Sequence, residues 1–157
     1  MKKTAYILFL SAITLLSGCE KKDPFVDRVV SPLLFLVIDD NGVPSNGTTT
    51  EPTIMSKVSK DVALNIKLLE LDKTNILDHT KGIDSIAVKS LKVTVSIRNG
   101  AKLGELTTGN DGKATMTKSW ADLGKAGAGA GTTVLLSWTG TYKDVTFTKY
   151  TRVQGSN

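Results

Sequence analysis

The chain holds one cysteine, Cys19, and one histidine, His79. Together they cannot supply the usual zinc ligand set. A catalytic pair of His79 with Asp72, Asp78 or Asp84 would still need a nucleophile brought in by the fold, and the polar run around His79 reads as a solvated loop. Asp39-Asp40-Asn41-Gly42 and Asn110-Asp111-Gly112 offer clustered oxygens of the kind calcium takes. Neither has the alternating ligands and closing glutamate of an EF-hand loop, and turn-forming Asx side chains account for both. Gly127-Ala128-Gly129-Ala130-Gly131 is rich in glycine, but its spacing differs from a phosphate loop and an extended segment follows it. No helix N-terminus is then available to receive phosphate. Scattered Asp and Glu would make a hydrolase only if two of them met about 5 to 10 Å apart in a cleft, and no pattern marks such a pair.

The aromatic residues carry the remaining chemistry. Trp120, Trp138, Tyr142 and Tyr150 are the rings that could stack on sugar faces. Trp138 falls in the inward phase of an alternating strand, which leaves Trp120, Tyr142 and Tyr150 as candidate ligand-binding residues. Trp120 would have to anchor such a platform, beside the mobile-looking Gly/Ala stretch. The competing account makes Trp120 the cap of a sandwich end and the tyrosines half-buried sheet residues.

Residues 1–18 have the parts of a secretory signal: Lys2 and Lys3, an apolar run from Ala5 to Leu16, and small Ser17 and Gly18. The apolar run is shorter than the roughly 20 residues of a transmembrane helix. Leu16-Ser17-Gly18-Cys19 then resembles the lipobox of bacterial lipoproteins. That resemblance implies cleavage before Cys19, a diacylglycerol on its thiol and acylation (palmitate and its like) of the new amino group. Buried acyl chains contribute about 0.8 kcal/mol per CH₂, and anchoring becomes stable with two chains. As the only cysteine, Cys19 has no disulfide partner in its own chain, and lipidation removes a lone reactive thiol. Residues 19–30 read as the lipidated cysteine and a polar tether, with Glu20-Lys21-Lys22-Asp23 loosely similar to the surface-export signals of Bacteroidetes-type lipoproteins. The expected location is the outer membrane, with the domain periplasmic or at the cell surface.

Residues 31–157 are long enough for one domain that needs no metal or disulfide. With 40% hydrophobic and 22% charged residues the chain is of globular type. Loss of Lys2 and Lys3 with the leader lowers the formal charge from +5 to +3, and no basic run exists, so nucleic acid is not an expected partner.

Short alternating segments separated by turns follow. Pro32 to Ile38 is β-rich and ends at Asp39-Asp40-Asn41-Gly42; Val43 to Pro52 reads as loop. Val62, Leu64, Ile66 and Leu68 share a face, as do Leu91, Val93, Val95 and Ile97. Asn99-Gly100 is a strong hairpin signal. Leu103 to Thr108, Lys113 to Lys118, Val134 to Trp138 and a last strand with Val145, Phe147 and Val153 complete the set, with Gly140 opening a turn. Ile83, Ile86 and Val88 mark a short edge strand within the long Asp72 to Ser90 connection. Ser119 to Lys125 has room for one helical turn. Val93, Val95, Leu64, Ile66, Leu136, Trp138 and Phe147 are the expected core; Lys92, Thr94 and Arg98 are expected outside and tolerant of change.

LKVTVSIRNGAKLGELTTGNDGKATM, Leu91 to Met116, resembles the middle of bacterial immunoglobulin-like domains and related transthyretin-like modules. Thr108, Asp111, Gly112 and Ala114 match the "T-x-x-D-G-x-A" turn of those families, and Trp138 to Tyr150 is similar to the closing hairpin of small lipoproteins with such a domain. The resemblance implies an all-β, immunoglobulin-like β-sandwich of about seven strands, and it carries no catalytic residues and no cofactor. The expected function is a lipid-anchored cell-envelope or surface module, not an enzyme, with a binding or structural role toward a protein partner. A small glycan-binding lipoprotein is the alternative, and a hydrolase the third.

Overall fold

Alternation of apolar and polar residues demands a partner layer for each apolar face, and the computed structural model supplies it with two packed sheets. The structure describes residues 33–39, 41–82 and 84–157, all in one compact unit, Ser31–Asn157. The leader (1–18), the tether (19–30) and Cys19 lie outside the described residues, as do Asp40 and Ile83. Nine strands occur among the described residues: β1 Leu34–Ile38, β2 Thr53–Lys57, β3 Val62–Asp72, β4 Asp84–Ala87, β5 Lys92–Ile97, β6 Lys102–Thr107, β7 Lys113–Lys118, β8 Thr133–Tyr142 and β9 Val145–Ser156. No helix accompanies them. The protein is an all-β sandwich.

The smaller sheet is organised around β3. β1 pairs antiparallel along one side of it, from Leu34↔Leu69 to Ile38↔Asn65. Its other side is shared end to end, by β7 against Val62 to Lys67 and by β4 against Leu69 to Asp72. Leu68 is the junction: its N–H donates to the Gly112 carbonyl at 2.9 Å and its carbonyl accepts from Val88 N–H at 3.0 Å. Gly112 has φ +74°, and a Cβ there would lie 2.5 Å from the Leu68 carbonyl oxygen. Only glycine fits both the left-handed backbone and that approach. The larger sheet runs β2-β9-β8-β5-β6; β2 and β9 are parallel and the other neighbours antiparallel.

Nine strands replace the expected seven. β4 lies in the long connection where an edge strand was expected, while β2 had no forecast. In β2, Ile54 and Ser56 face inward and Met55 is exposed, so its apolar pattern is weak. Its partner, β9, lies far along the chain. The expected turn at Gly140 is also corrected. Gly140 sits within β8 opposite Phe147, and a Cβ there would meet the Phe147 ring at 2.8 Å. The ring covers the glycine, and β8 runs on to a tight turn at Lys143 and Asp144, with φ +48° and +62°. Val145 has the phase of Phe147 but stands 45% exposed at that hairpin tip, where the opposite sheet no longer covers it.

Val93, Val95, Leu64, Ile66, Leu136, Trp138 and Phe147 are all buried. Phe35 from the smaller sheet packs against Trp138 from the larger, with ring centroids 5.7 Å apart. The Trp138 indole N–H donates to Thr151 Oγ1 at 2.9 Å, which satisfies the polar atoms of two fully buried residues. The Asn99 turn closes as expected, with φ +57° and Gly100 N–H donating to the Ile97 carbonyl.

The sandwich has two ends. At the entry end lie Leu33, the close of β3, the loop to β4 and the β8–β9 turn. At the far end lie the β2–β3 corner, the turn after β7 and the Gly/Ala stretch before β8.

Candidate functional site

The far end is built from the turn after β7. Ser119 and Asp122 cap each other: Ser119 N–H donates to Asp122 Oδ2, and Asp122 N–H donates to Ser119 Oγ, both at 3.1 Å. One helical turn results, with Leu123 N–H reaching the Ser119 carbonyl, and Gly124 ends it at φ +75°. This turn drives Trp120 and Leu123 into the core; Trp120 is 6% exposed. Its indole N–H donates to the Lys57 carbonyl at 3.3 Å. Gly155 lies beside the ring, where a Cβ would come within 2.8 Å of the Gly129 carbonyl oxygen and of Val58 Cγ1. Trp120 therefore has no open ring face to offer a sugar. Next to it, Gly124 to Ala128 and Thr132 line an open depression with no charged group but Lys125.

The entry end is closed by a polar clamp across the two sheets. Glu70 continues the inward phase of Val62, Leu64, Ile66 and Leu68 on β3, one step past the core. Its carboxylate accepts from the Tyr142 hydroxyl at 2.6 Å and from Lys143 Nζ. Lys143 also lies over the Tyr142 ring, 5.4 Å from its centroid. The bond from Lys143, then that from Tyr142, holds the Glu70 carboxyl below its ordinary range. The bond to Glu70 raises both the Tyr142 hydroxyl and the Lys143 ammonium above theirs. Tyr142 is thus half-buried and engaged.

Tyr150 lies on the opposite, outer face of the larger sheet and is 41% exposed. Arg98 stacks over it, 4.3 Å from the ring centroid. Glu51 sits between two arginines, 3.0 Å from Arg98 Nη2 and 3.7 Å from Arg152 Nη2. Arg98 is half-buried and paired with Glu51 and Tyr150 on the outer face. The structure does not bring Trp120, Tyr142 and Tyr150 together: one is in the core, one in the clamp and one on the outer face.

The remaining candidates fill structural roles. Asp39 Oδ1 accepts from Asn41 and Val43 N–H, and Asp111 Oδ1 accepts from Lys113 N–H. Asp72 and Asp78 each accept from the backbone and hydroxyl of the threonine two residues on, which lowers both carboxyls. His79 is exposed between Asp78 and Thr80. Among the described residues no three His, Cys, Asp or Glu side chains gather to hold a metal. Among the described residues, hydrogen bonds from neighbouring side chains and backbone hold Glu70, Asp72, Asp78, Glu105, Asp111 and Asp122 below the ordinary carboxylate range.

Sequence reasoning missed Glu70, Lys143, Glu51 and Arg152. Glu70 carried a signal, a charge in the inward phase of a long strand. The others depend on pairings remote in the chain. No family model matches the chain, no curated protein is detectably similar to it, and no solved structure gives a significant match.

Proposed function

We propose that the chain is a lipid-anchored cell-envelope module with a non-enzymatic binding or structural role, carried on an immunoglobulin-like sandwich. The observation that carries this reading is Leu16-Ser17-Gly18-Cys19 at the end of a signal-like leader. The strand pairing supports its immunoglobulin-like part: β1 joins one sheet while β2 joins the other, parallel to the last strand. Engagement of the acids in turns and in the clamp supports the non-enzymatic part. The outer membrane is the proposed location, with the domain periplasmic or at the surface.

Production in a bacterium with labelled fatty acid tests the anchor. The chain should take up label and partition into detergent, and Cys19→Ser should abolish both. Label persisting in the Cys19→Ser form would sink the reading. Glycan binding is the second reading, and with Trp120 buried and Tyr142 in the clamp it rests on Tyr150, 41% exposed on the outer face with Arg98 over one side of its ring. A glycan screen in which Tyr150→Ala loses a signal shown by the native chain would raise it to first.

A further inference from the structure

The entry end is apolar outside its clamp. Leu77 at the tip of the β3–β4 loop is 87% exposed and Ile76 beside it 54%. Leu71 at the close of β3, Ile86 on β4 and Val145 on the β8–β9 hairpin are 47%, 52% and 45% exposed. The pairings gather them at one end. Leu71 faces Ser85 and Glu70 faces Ile86 across β3 and β4, and Glu70 ties this edge to Tyr142 and Lys143, next to Val145. By this register Ile86 shares the face of Glu70 and Leu71 projects from the other face of the sheet, so the apolar residues surround the end of the sandwich; exposed apolar side chains gathered in this way mark an interaction site. Lys81 and Lys143 flank the patch, each paired with a carboxylate, Asp78 and Glu70 respectively, and Asp72, Asp84 and Asp144 are near it in sequence.

The same end receives the chain. Leu34, at the start of β1, pairs with Leu69, two residues before Leu71. Only residues 20–32 separate Cys19 from Leu33, and 13 residues span at most about 45 Å. An 11-residue strand such as β3 runs about 35 Å. Bringing the far end to a bilayer that holds Cys19 would use most of that reach merely to pass along the sandwich. Bringing the entry end there uses none of it. At the far end Trp120 and Leu123 are buried, and Val43 and Met55 are the exposed large apolar side chains on that side, 59% and 47% exposed, with no pair of adjacent apolar residues at a loop tip like Ile76 and Leu77.

We propose that the entry end of the sandwich is a lipid-docking surface, with Ile76 and Leu77 entering the acyl region and Leu71, Ile86 and Val145 resting at the headgroup level. This inference rests on the lipid-anchor reading and adds an orientation to it. Long aliphatic tips insert while lysines remain at the interface, the usual division for surface-bound segments.

The test uses the full chain, processed in a bacterium with labelled fatty acid and reconstituted into phosphatidylethanolamine–phosphatidylglycerol vesicles that carry a spin-labelled acyl chain. A single cysteine is placed at Leu77→Cys or, at the far end, at Lys125→Cys, and tagged with an environment-sensitive fluorophore. Both positions are exposed, so the fold is kept. The Leu77→Cys probe should shift to the blue and lose most of its emission to the quencher; the Lys125→Cys probe should do neither. Lipid-labelled chains whose two probes respond alike, or whose Lys125→Cys probe is the one quenched, overturn the docking and leave the anchor standing. Chains without fatty-acid label overturn both.

Discussion

The two ends of the sandwich are closed by opposite means. At the far end an aromatic plug, Trp120, enters the core beside Gly155. At the entry end a carboxylate, a phenol and an ammonium join the sheets, and the apolar side chains are turned outward. Burial of a large ring is independent of pH and makes the far end continuous with the core. Exchange of water for charge-assisted hydrogen bonds contributes less and depends on protonation. One end thus extends the core, and the other carries the exposed polar and apolar chemistry.

Removing the plug gives the largest expected effect. Trp120→Ala should lower unfolding free energy by about 3–5 kcal/mol in a urea titration, by a similar amount at every pH. A loss below about 1 kcal/mol would mean that the far end is not part of the core. Next comes Gly112→Ala, at the junction where β3 passes from β7 to β4. The left-handed backbone and the Leu68 carbonyl together should cost about 1–3 kcal/mol. Hydrogen exchange should then quicken at Leu68 and Val88 before it quickens at the Val62 end of β3.

The clamp is weaker. Tyr142→Phe removes one hydrogen bond to Glu70 and should cost about 0.5–1.5 kcal/mol. Its pH dependence follows from the shifts. Because the folded Glu70 carboxyl is lowered, its contribution is present above the ordinary glutamate range and is lost as pH falls through the folded value. The raised Lys143 and Tyr142 groups contribute fully below their ordinary values, and that contribution is lost as pH rises through the raised ones. Glu70→Gln should therefore flatten part of the acid limb of stability against pH. Part of the limb should remain, since Asp72, Asp78, Glu105, Asp111 and Asp122 are lowered as well. An unchanged acid limb would show the clamp to be energetically silent. The smallest effect belongs to Leu77→Ser, which should alter stability by no more than about 0.5 kcal/mol. A larger loss would place Leu77 against the protein and not against solvent.

Period-two alternation made most of this fold legible, because a strand covered on one face must write its burial into every second residue. Val62 to Leu68 and Val93 to Val95 did so without interruption. β2 did not, since its inward positions are Ile54 and Ser56 and its pairing is parallel to a remote strand. Gly140 has the composition of a turn and the environment of a strand, because the covering atoms belong to Phe147. Trp120 was legible as either cap or platform, and the Ser119–Asp122 cap settles its direction. The clamp was illegible as a site because Tyr142 and Glu70 meet only after both sheets have formed.

The parallel pairing of β2 with β9 has a consequence for the order of assembly. Thr53 waits for Arg152 and Lys57 for Ser156, so β2 has no partner strand among the described residues until nearly all the intervening chain has been made and released. Closing so long a loop ahead of its contacts slows folding. A chain threaded across a membrane from its N-terminus would therefore complete its larger sheet only after that passage, and variants that weaken the β2–β9 pairing should leave a longer-lived, protease-sensitive intermediate.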